Sequence, residues 1–275
     1  MLHPDDRTAI TALEGAAAGR RATVGIVVAG TRAGELVDAE QVAPEAAASV
    51  SADGIARETG EILVVGAVPP PRLLILGAGE HAAALCRVAS AVGFAVTVCD
   101  VWELLVTPER FPEAVELVVD APHEYLRSLG EDDIDARTAV CVLTHDVRLD
   151  VPALREALRM PVGFVGAMGA RSTVARRADL LRTAGVDEAS LARLRSPLGL
   201  DLGGASPAET ALAALAEITA VRHGGSGLPL RERTGRLHPA GAAAVRAAAP
   251  GAEAAAPAAS AVPTASVSAP SCAIG

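Results

Sequence analysis

An apolar run that stops at two glycines, with a helical pattern starting directly behind them, restricts this chain more than any other feature: Arg72-Leu-Leu-Ile-Leu-Gly77-Ala-Gly79-Glu-His-Ala82. It reads as a strand feeding a tight turn into a helix. In such a turn Gly77 permits the bend, Gly79 lets backbone N–H groups approach a phosphate, and the small Ala82 lets helix and strand pack closely. Asp100 follows the next apolar run, Phe94-Ala-Val-Thr-Val-Cys99, and stands 21 positions after Gly79, where a ribose 2′-OH would need an acceptor. The spacing predicts a Rossmann-like βαβ unit. The same glycines also serve a plain tight turn, so the pattern specifies a fold before it specifies a ligand.

Pro69-Pro70-Pro71 forms a stiff connector that cannot donate to a sheet, and it is read as the domain boundary. Beyond it strands and helices alternate. Strands are expected at 72–76, 94–99, 116–119, 138–143 and 162–166, each nearly continuous in apolar residues, as burial on both faces demands. Helices are expected at 80–92, 121–129, 151–159, 173–184 and 207–222. Gly93 and Gly185 stop two of them, and Ser206-Pro207-Ala208-Glu209 opens the last as a capping box with proline at its first position.

The expected fold class is therefore α/β, a Rossmann-like doubly wound parallel sheet over residues 72–230. A small α/β region in 1–68 precedes it, with a helix near 10–18 and strands near 22–29 and 61–65. From 239 to 275 the text is Ala/Pro/Ser/Gly with almost no charge, too poor in bulky residues to offset ordering entropy, and is read as a disordered tail that contains Cys272.

Composition removes several kinds of chemistry. No lysine occurs, so a Schiff-base or P-loop lysine is excluded and every fixed side-chain cation is an arginine. A net charge of −9 and an aromatic content of 2% argue against nucleic acid as a partner, since neither a basic footprint nor stacking rings are present. Cys86, Cys99 and Cys141 sit in apolar segments and read as small hydrophobes. No metal-ligand spacing appears, the 22–30 apolar run is too short to span a bilayer, and the start lacks the features of a secretion signal. A cytoplasmic setting is the expectation.

In an open doubly wound sheet, ligands bind outside the carboxyl ends of the strands. The ends here offer Gly77 and Gly79, Asp100, Asp120, the trio Thr144, His145 and Asp146, and the loop Gly166-Ala-Met-Gly169-Ala-Arg171-Ser172, all expected on one rim. The trio places a hydroxyl, an imidazole and a carboxylate before a helix that Asp150 and Pro152 begin. Either the three converge on a ligand or they satisfy loop backbone groups. No serine elbow precedes them, so a hydrolytic triad is not expected and no catalytic residue is assigned. The Gly166–Ser172 loop reads as a second anion cradle, with glycines for close approach, Arg171 as a bidentate cation and Ser172 as cap of the next helix. The glycine-rich 196–204 stretch either closes over the rim, with Asp201 as a polar contact, or is an ordinary loop.

Five segments together resemble the Rossmann half of the XdhC/CoxI family: Thr107-Pro-Glu-Arg-Phe-Pro112, Leu143-Thr-His-Asp146, Val165-Gly-Ala-Met-Gly169, Ser196-Pro-Leu-Gly-Leu-Asp-Leu-Gly203 and His223-Gly-Gly-Ser-Gly227. The resemblance implies a non-catalytic maturation factor that holds molybdenum cofactor, presents it to a cysteine desulfurase for sulfuration, and delivers it to the large subunit of a xanthine or carbon monoxide dehydrogenase type enzyme. It also implies that residues 1–68 are a shortened, divergent remnant of the family's amino-terminal domain. That domain's Ser-Gly-Gly-Cys motif has no counterpart here, because no cysteine precedes Cys86. Where the family usually has an arginine two residues after the aspartate, this chain has Trp102 and then Glu103. The residues alone keep two alternatives open, an NAD-dependent oxidoreductase with His145 as acid or base and a nucleotide-sensing module. NAD thus stands beside molybdenum cofactor as ligand, and a homodimer is a further open expectation.

Overall fold

The computed structural model describes residues 7–234 apart from 18–20, 45–46, 48–49, 51–56, 60 and 131–132. The tail expected at 239–275, Cys272 included, lies outside the described residues.

The first region contains α1 (Arg7–Ala17), β1 (Ala22–Val27), β2 (Leu36–Val37), α2 (Ala39–Val42), β3 (Arg57–Thr59) and β4 (Ile62–Ala67). Its strands form an antiparallel sheet in the order β2-β1-β4-β3. The central pair, β1 and β4, matches the two strands expected from sequence; the edge strands β2 and β3 are too short to leave a periodic signal. Ala39, Ala47, Val50, Val64 and Val68 make a small core of their own.

The second region runs β5 (Arg72–Leu76), α3 (Glu80–Ala91), β6 (Ala95–Asp100), β7 (Glu116–Val119), α4 (Pro122–Ser128), β8 (Ala139–Val142), α5 (Val147–Ala157), β9 (Phe164–Ala167), α6 (Arg171–Thr183), α7 (Glu188–Ala192), β10 (Leu194–Arg195) and α8 (Pro207–His223). All six strands are parallel, in the order β10-β9-β8-β5-β6-β7. This is the doubly wound Rossmann arrangement, with chain order reversing between β5 and β8.

Burial on both faces explains the continuous apolar strands. Leu73 and Ile75 of β5 pack with Leu85 and Cys86 of α3 and Leu215 and Ile218 of α8 on one face. Leu74 and Leu76 pack with Leu126 of α4, Leu154 of α5 and Leu181 of α6 on the other. Ala82 is fully buried on α3, the close helix-to-strand contact that its size predicts. The capping box on α8 forms as expected, with Ser206 and Glu209 each accepting the other's backbone N–H.

Two helix starts differ from expectation. α5 begins at Val147, capped by Asp146 through the Arg148 amide, so Pro152 lies inside the helix rather than at its start. α6 begins at Arg171, with Ala170 as a cap residue that offers no side-chain bond, so Ser172 is a second helical residue and not a cap. In both cases a residue nearer the strand intercepts the helix start.

Gly77 is the tightest point of the sheet. Its φ is +113°, and a Cβ there would stand 2.8 Å from the Thr144 nitrogen and 3.0 Å from the Leu143 carbonyl carbon. Gly79 has φ −80° and open space where a Cβ would go. Gly77→Ala is therefore expected to lower the unfolding free energy by about 2–4 kcal/mol, from left-handed strain plus backbone overpacking. Gly79→Ala should cost no more than about 1 kcal/mol, an N-cap preference alone. Urea unfolding of both variants checks this; equal losses would contradict the Thr144 contact as the reason for glycine.

Candidate functional site

Backbone hydrogen bonds gather the strand ends on one edge. Gly77 donates to the Cys99 carbonyl at 2.8 Å, Leu143 to Leu76 at 2.7 Å, Met168 to Val142 at 2.9 Å, Leu198 to Ala167 at 3.1 Å and Asp120 to Asp100 at 3.1 Å. The residues leaving β5, β7, β8 and β9 are thus fastened to a neighbouring strand's end, and Leu198 ties the loop after β10 to β9. α3 leaves this edge over one face and α5 over the other, which opens a crevice between the β5 and β8 ends.

Three of the helices that start at this edge have no side-chain cap, α3 after Gly79, α4 after Ala121 and α6 after Ala170, but α4 opens with Pro122, which has no N–H to give, so α3 and α6 are the two that matter for an anion. Their first amides and the positive ends of their dipoles are available to an anion. Arg171, the first residue of α6, is exposed and has no hydrogen bond or ion pair among the described residues. Gly79 is likewise exposed, whereas Gly77 is buried.

Several of the other sequence candidates have internal partners. Asp100, only 6% exposed, accepts the Ala78 N–H at 2.7 Å on one oxygen and the Trp102 N–H at 3.1 Å on the other, so its carboxylate braces the glycine turn from beneath. Thr144, His145 and Asp146 do not converge. Thr144 donates to Asp150, while Asp146 caps α5 and pairs with Arg148 at 2.6 Å, which holds the Asp146 carboxyl down at about 2. His145 is exposed on the same edge. Gly166 belongs to β9 rather than to the loop, and a Cβ there would meet Leu198 at 2.6 Å and Phe164 at 2.8 Å. A side chain there would collide with that packing. Asp201 is exposed in a loop fastened to β9 through Leu198, to Glu217 through the Gly199 amide at 2.7 Å and to Ala213 through Leu200. Ser172 is exposed beside Arg171.

A buried ion pair beneath the second glycine loop escaped the sequence reading. Arg177 of α6, its side chain 11% exposed, approaches Asp150 at 3.5 Å and donates to the Met168 carbonyl at 2.7 Å and the Ser196 hydroxyl at 2.7 Å. Gly169, with φ +152°, leaves space for it; a Cβ there would stand 3.0 Å from the guanidinium. Both residues lie on apolar stripes, Asp150 with Ala153, Leu154 and Ala157, and Arg177 with Val174 and Leu181. A charge in a core-facing helical position was the available signal. Burial pushes the Asp150 carboxyl above its ordinary value, against the Thr144 hydrogen bond and the Arg177 charge.

The described residues offer little to a metal. Among the described residues no group of three His, Cys, Asp or Glu side chains is placed to hold one. Burial pushes the thiols of Cys86 and Cys99 up to about 11 and about 12, and Cys141 higher still, so none is a ready thiolate. No helix among the described residues is long and apolar enough to cross a membrane. Two clefts of about 450 and 420 Å³ lie elsewhere, one at the ends of α4 and α5 beside Leu129 and Met160, the other between α1 and β1.

Residues 73–218 match the XdhC Rossmann domain. The chain is 31% identical over 157 residues to the uncharacterized protein YqeB of Escherichia coli strain K12, a stretch covering 57% of this chain and 28% of that protein. It is 28% identical over 165 residues to a probable subunit of xanthine dehydrogenase from Bacillus subtilis strain 168, covering 60% and 47%. It is 27% identical over 158 residues to the molybdenum cofactor insertion chaperone PaoD of Escherichia coli strain K12, covering 58% and 42%. The chain thus spans less than half the length of these relatives. A crystal structure of a xanthine dehydrogenase from Bacillus halodurans superposes with a TM-score of 0.58 at 24% identity, over 77% of this chain and 65% of that one, a likeness of fold.

Removing Arg177 strands a buried carboxylate, so Arg177→Ala is expected to cost about 3–5 kcal/mol at pH 8. The sign of its pH dependence follows from Asp150. A carboxyl whose folded value is raised holds its proton more tightly folded than unfolded, so its contribution favours folding at low pH and is lost as pH rises above the ordinary carboxylate value. The penalty in Arg177→Ala should therefore shrink toward pH 4. Denaturant unfolding at both pH values checks it; a penalty that grows on acidification would contradict the buried pair.

Proposed function

The chain belongs to the XdhC family through its Rossmann domain, residues 73–218, and on that premise we propose that it is an accessory protein of molybdoenzyme maturation. Its cargo is molybdenum cofactor, whose phosphate end rests on the rim between the β5 and β8 ends. The observation that carries this reading is the pair of uncapped helix starts, α3 at Gly79 and α6 at Arg171, on the same edge of the parallel sheet. A dianionic phosphate there gains backbone N–H donors from the start of α3, and the long Arg171 side chain, from beyond the β9 end, supplies a bidentate partner without displacing a cap. Two relatives, one named for xanthine dehydrogenase and the other as a cofactor insertion chaperone, support the same reading.

Within it, Gly79, Gly169 and Arg171 form the phosphate cradle, buried Gly77 sets the bend that shapes it, and His145, Ser172 and Asp201 line its margin. Asp100, Thr144, Asp146 and Gly166 keep the cradle in shape. The metal end of the cargo finds no soft ligand in this chain's described residues, so it faces outward, toward a client large subunit of the xanthine or carbon monoxide dehydrogenase type and toward the cysteine desulfurase that sulfurates it. Partner surfaces supply what the buried thiols cannot. A second copy of the chain is one further source of such a surface.

The Gly77-x-Gly79 turn at the switch point also favours a second reading, an NAD nucleotide in the same crevice, bound by a sensor or used by an oxidoreductase. One comparison separates the two. After incubation with cofactor-loaded carrier and gel filtration, the chain should retain pterin, read as fluorescence of the oxidised form, while NAD gives no hydride turnover. Arg171→Ala and Gly79→Val should each lower retention about tenfold, with a melting temperature within about 4 °C of the native chain for a loss near 1 kcal/mol. NAD turnover without pterin retention would overturn the proposal.

A further inference from the structure

Residues 101–115, between β6 and β7, border the glycine turn and bring it two groups that the phosphate cradle leaves unused. The Asp100 carboxylate accepts the Ala78 and Trp102 amides at 2.7 and 3.1 Å, so turn and segment are fastened to one group. Trp102, the single tryptophan of the chain, is 66% exposed there. From further along the segment Arg110 donates to the Ala78 carbonyl at 3.3 Å and pairs with Glu80, the first residue of α3, at 3.0 Å. The Trp102 backbone is thereby linked to the turn through Asp100, and the Arg110 guanidinium is bonded directly to the carbonyl of the turn's middle residue.

We propose that this segment is the recognition arm of the rim. The ligand it fits is a phosphorylated, planar, fused-ring heterocycle, with the ring stacked on Trp102 and the phosphate on the turn, where Arg110 exchanges Glu80 for the phosphate. The inference rests on the phosphate cradle described above and adds the ring. Three physical points support it. An indole offers the largest stacking face of any side chain, and its exposure in a chain only 2% aromatic leaves that face to a partner. A guanidinium matches phosphate in two parallel hydrogen bonds, a stronger match than one exposed carboxylate gives. The Glu80 side chain is 76% exposed, so releasing it to solvent costs little.

Purine nucleotides and pterin phosphates share this chemistry, and calorimetry distinguishes them. The native chain is titrated with AMP, with 6-hydroxymethylpterin phosphate, and with ribose 5-phosphate as a ring-free control. At least one ring compound should bind more tightly than the control, and whichever does so names the source. Trp102→Ala should weaken that compound about tenfold, the order that alanine substitution of a stacking aromatic gives, while ribose 5-phosphate stays within twofold. Arg110→Ala should weaken all binding phosphates and Glu80→Gln should strengthen them several-fold, with Arg110→Lys retaining part of the affinity. Ring binding unchanged in Trp102→Ala, or weakened by Glu80→Gln, would overturn the recognition arm. A ring-free phosphate that binds as tightly as the ring compounds overturns the arm and leaves the cradle standing; failure of all three to bind overturns both.

Discussion

The approach of Gly77 to the backbone of Thr144 is the contact on which the rest of this molecule depends. β5 and β8 are neighbours in space but are separated in the chain by two other strands, and they can lie side by side at their carboxyl ends only because no Cβ stands between them. The same closeness sets the switch point, since α3 and α5 depart from those two ends over opposite faces. Its functional consequence is a crevice with backbone amides on its floor, built by a packing constraint before any ligand is considered.

Charge is arranged in two layers beneath and around that crevice. Below, Asp100 under the first turn and the Asp150–Arg177 pair under the second are buried and saturated with internal partners. They hold shape and have little left to give a ligand. Above, Arg171 is exposed and unpaired among the described residues, and Arg110 is tied only to an exposed glutamate and a carbonyl. The division shows how an acidic chain of net charge −9 could present the anion site proposed here. Asp100, the residue whose spacing fits a ribose acceptor, also accepts the Ala78 and Trp102 amides and so holds the turn.

Legibility in the sequence followed the strength of the local physics. The β5 turn was readable because strand, glycines and helix each leave their own mark over a dozen residues, and the α8 capping box because Ser206, Pro207 and Glu209 agree on one start. Asp146 as the cap of α5 was not readable while Asp150 and Pro152 offered a competing start. β10, two residues long, has no period to detect, yet it completes the sheet. Arg177 and Asp150 were visible as letters, but their pairing joins α5 to α6 across 27 positions, a tertiary fact that only their places on the apolar stripes foreshadowed. Ser172 was given a capping role that Ala170 pre-empts by ending the strand-to-helix loop two residues early.

The central claim is that the edge between the β5 and β8 ends receives the phosphate of a small molecule, and amide chemical-shift mapping on the labelled protein tests it most directly. On titration with a phosphorylated pterin, the largest shifts should fall on Gly79, Glu80, Ala170 and Arg171, the residues at the uncapped starts of α3 and α6. Shifts concentrated instead around Leu129 and Met160, at the cleft beside the far ends of α4 and α5, would contradict the account.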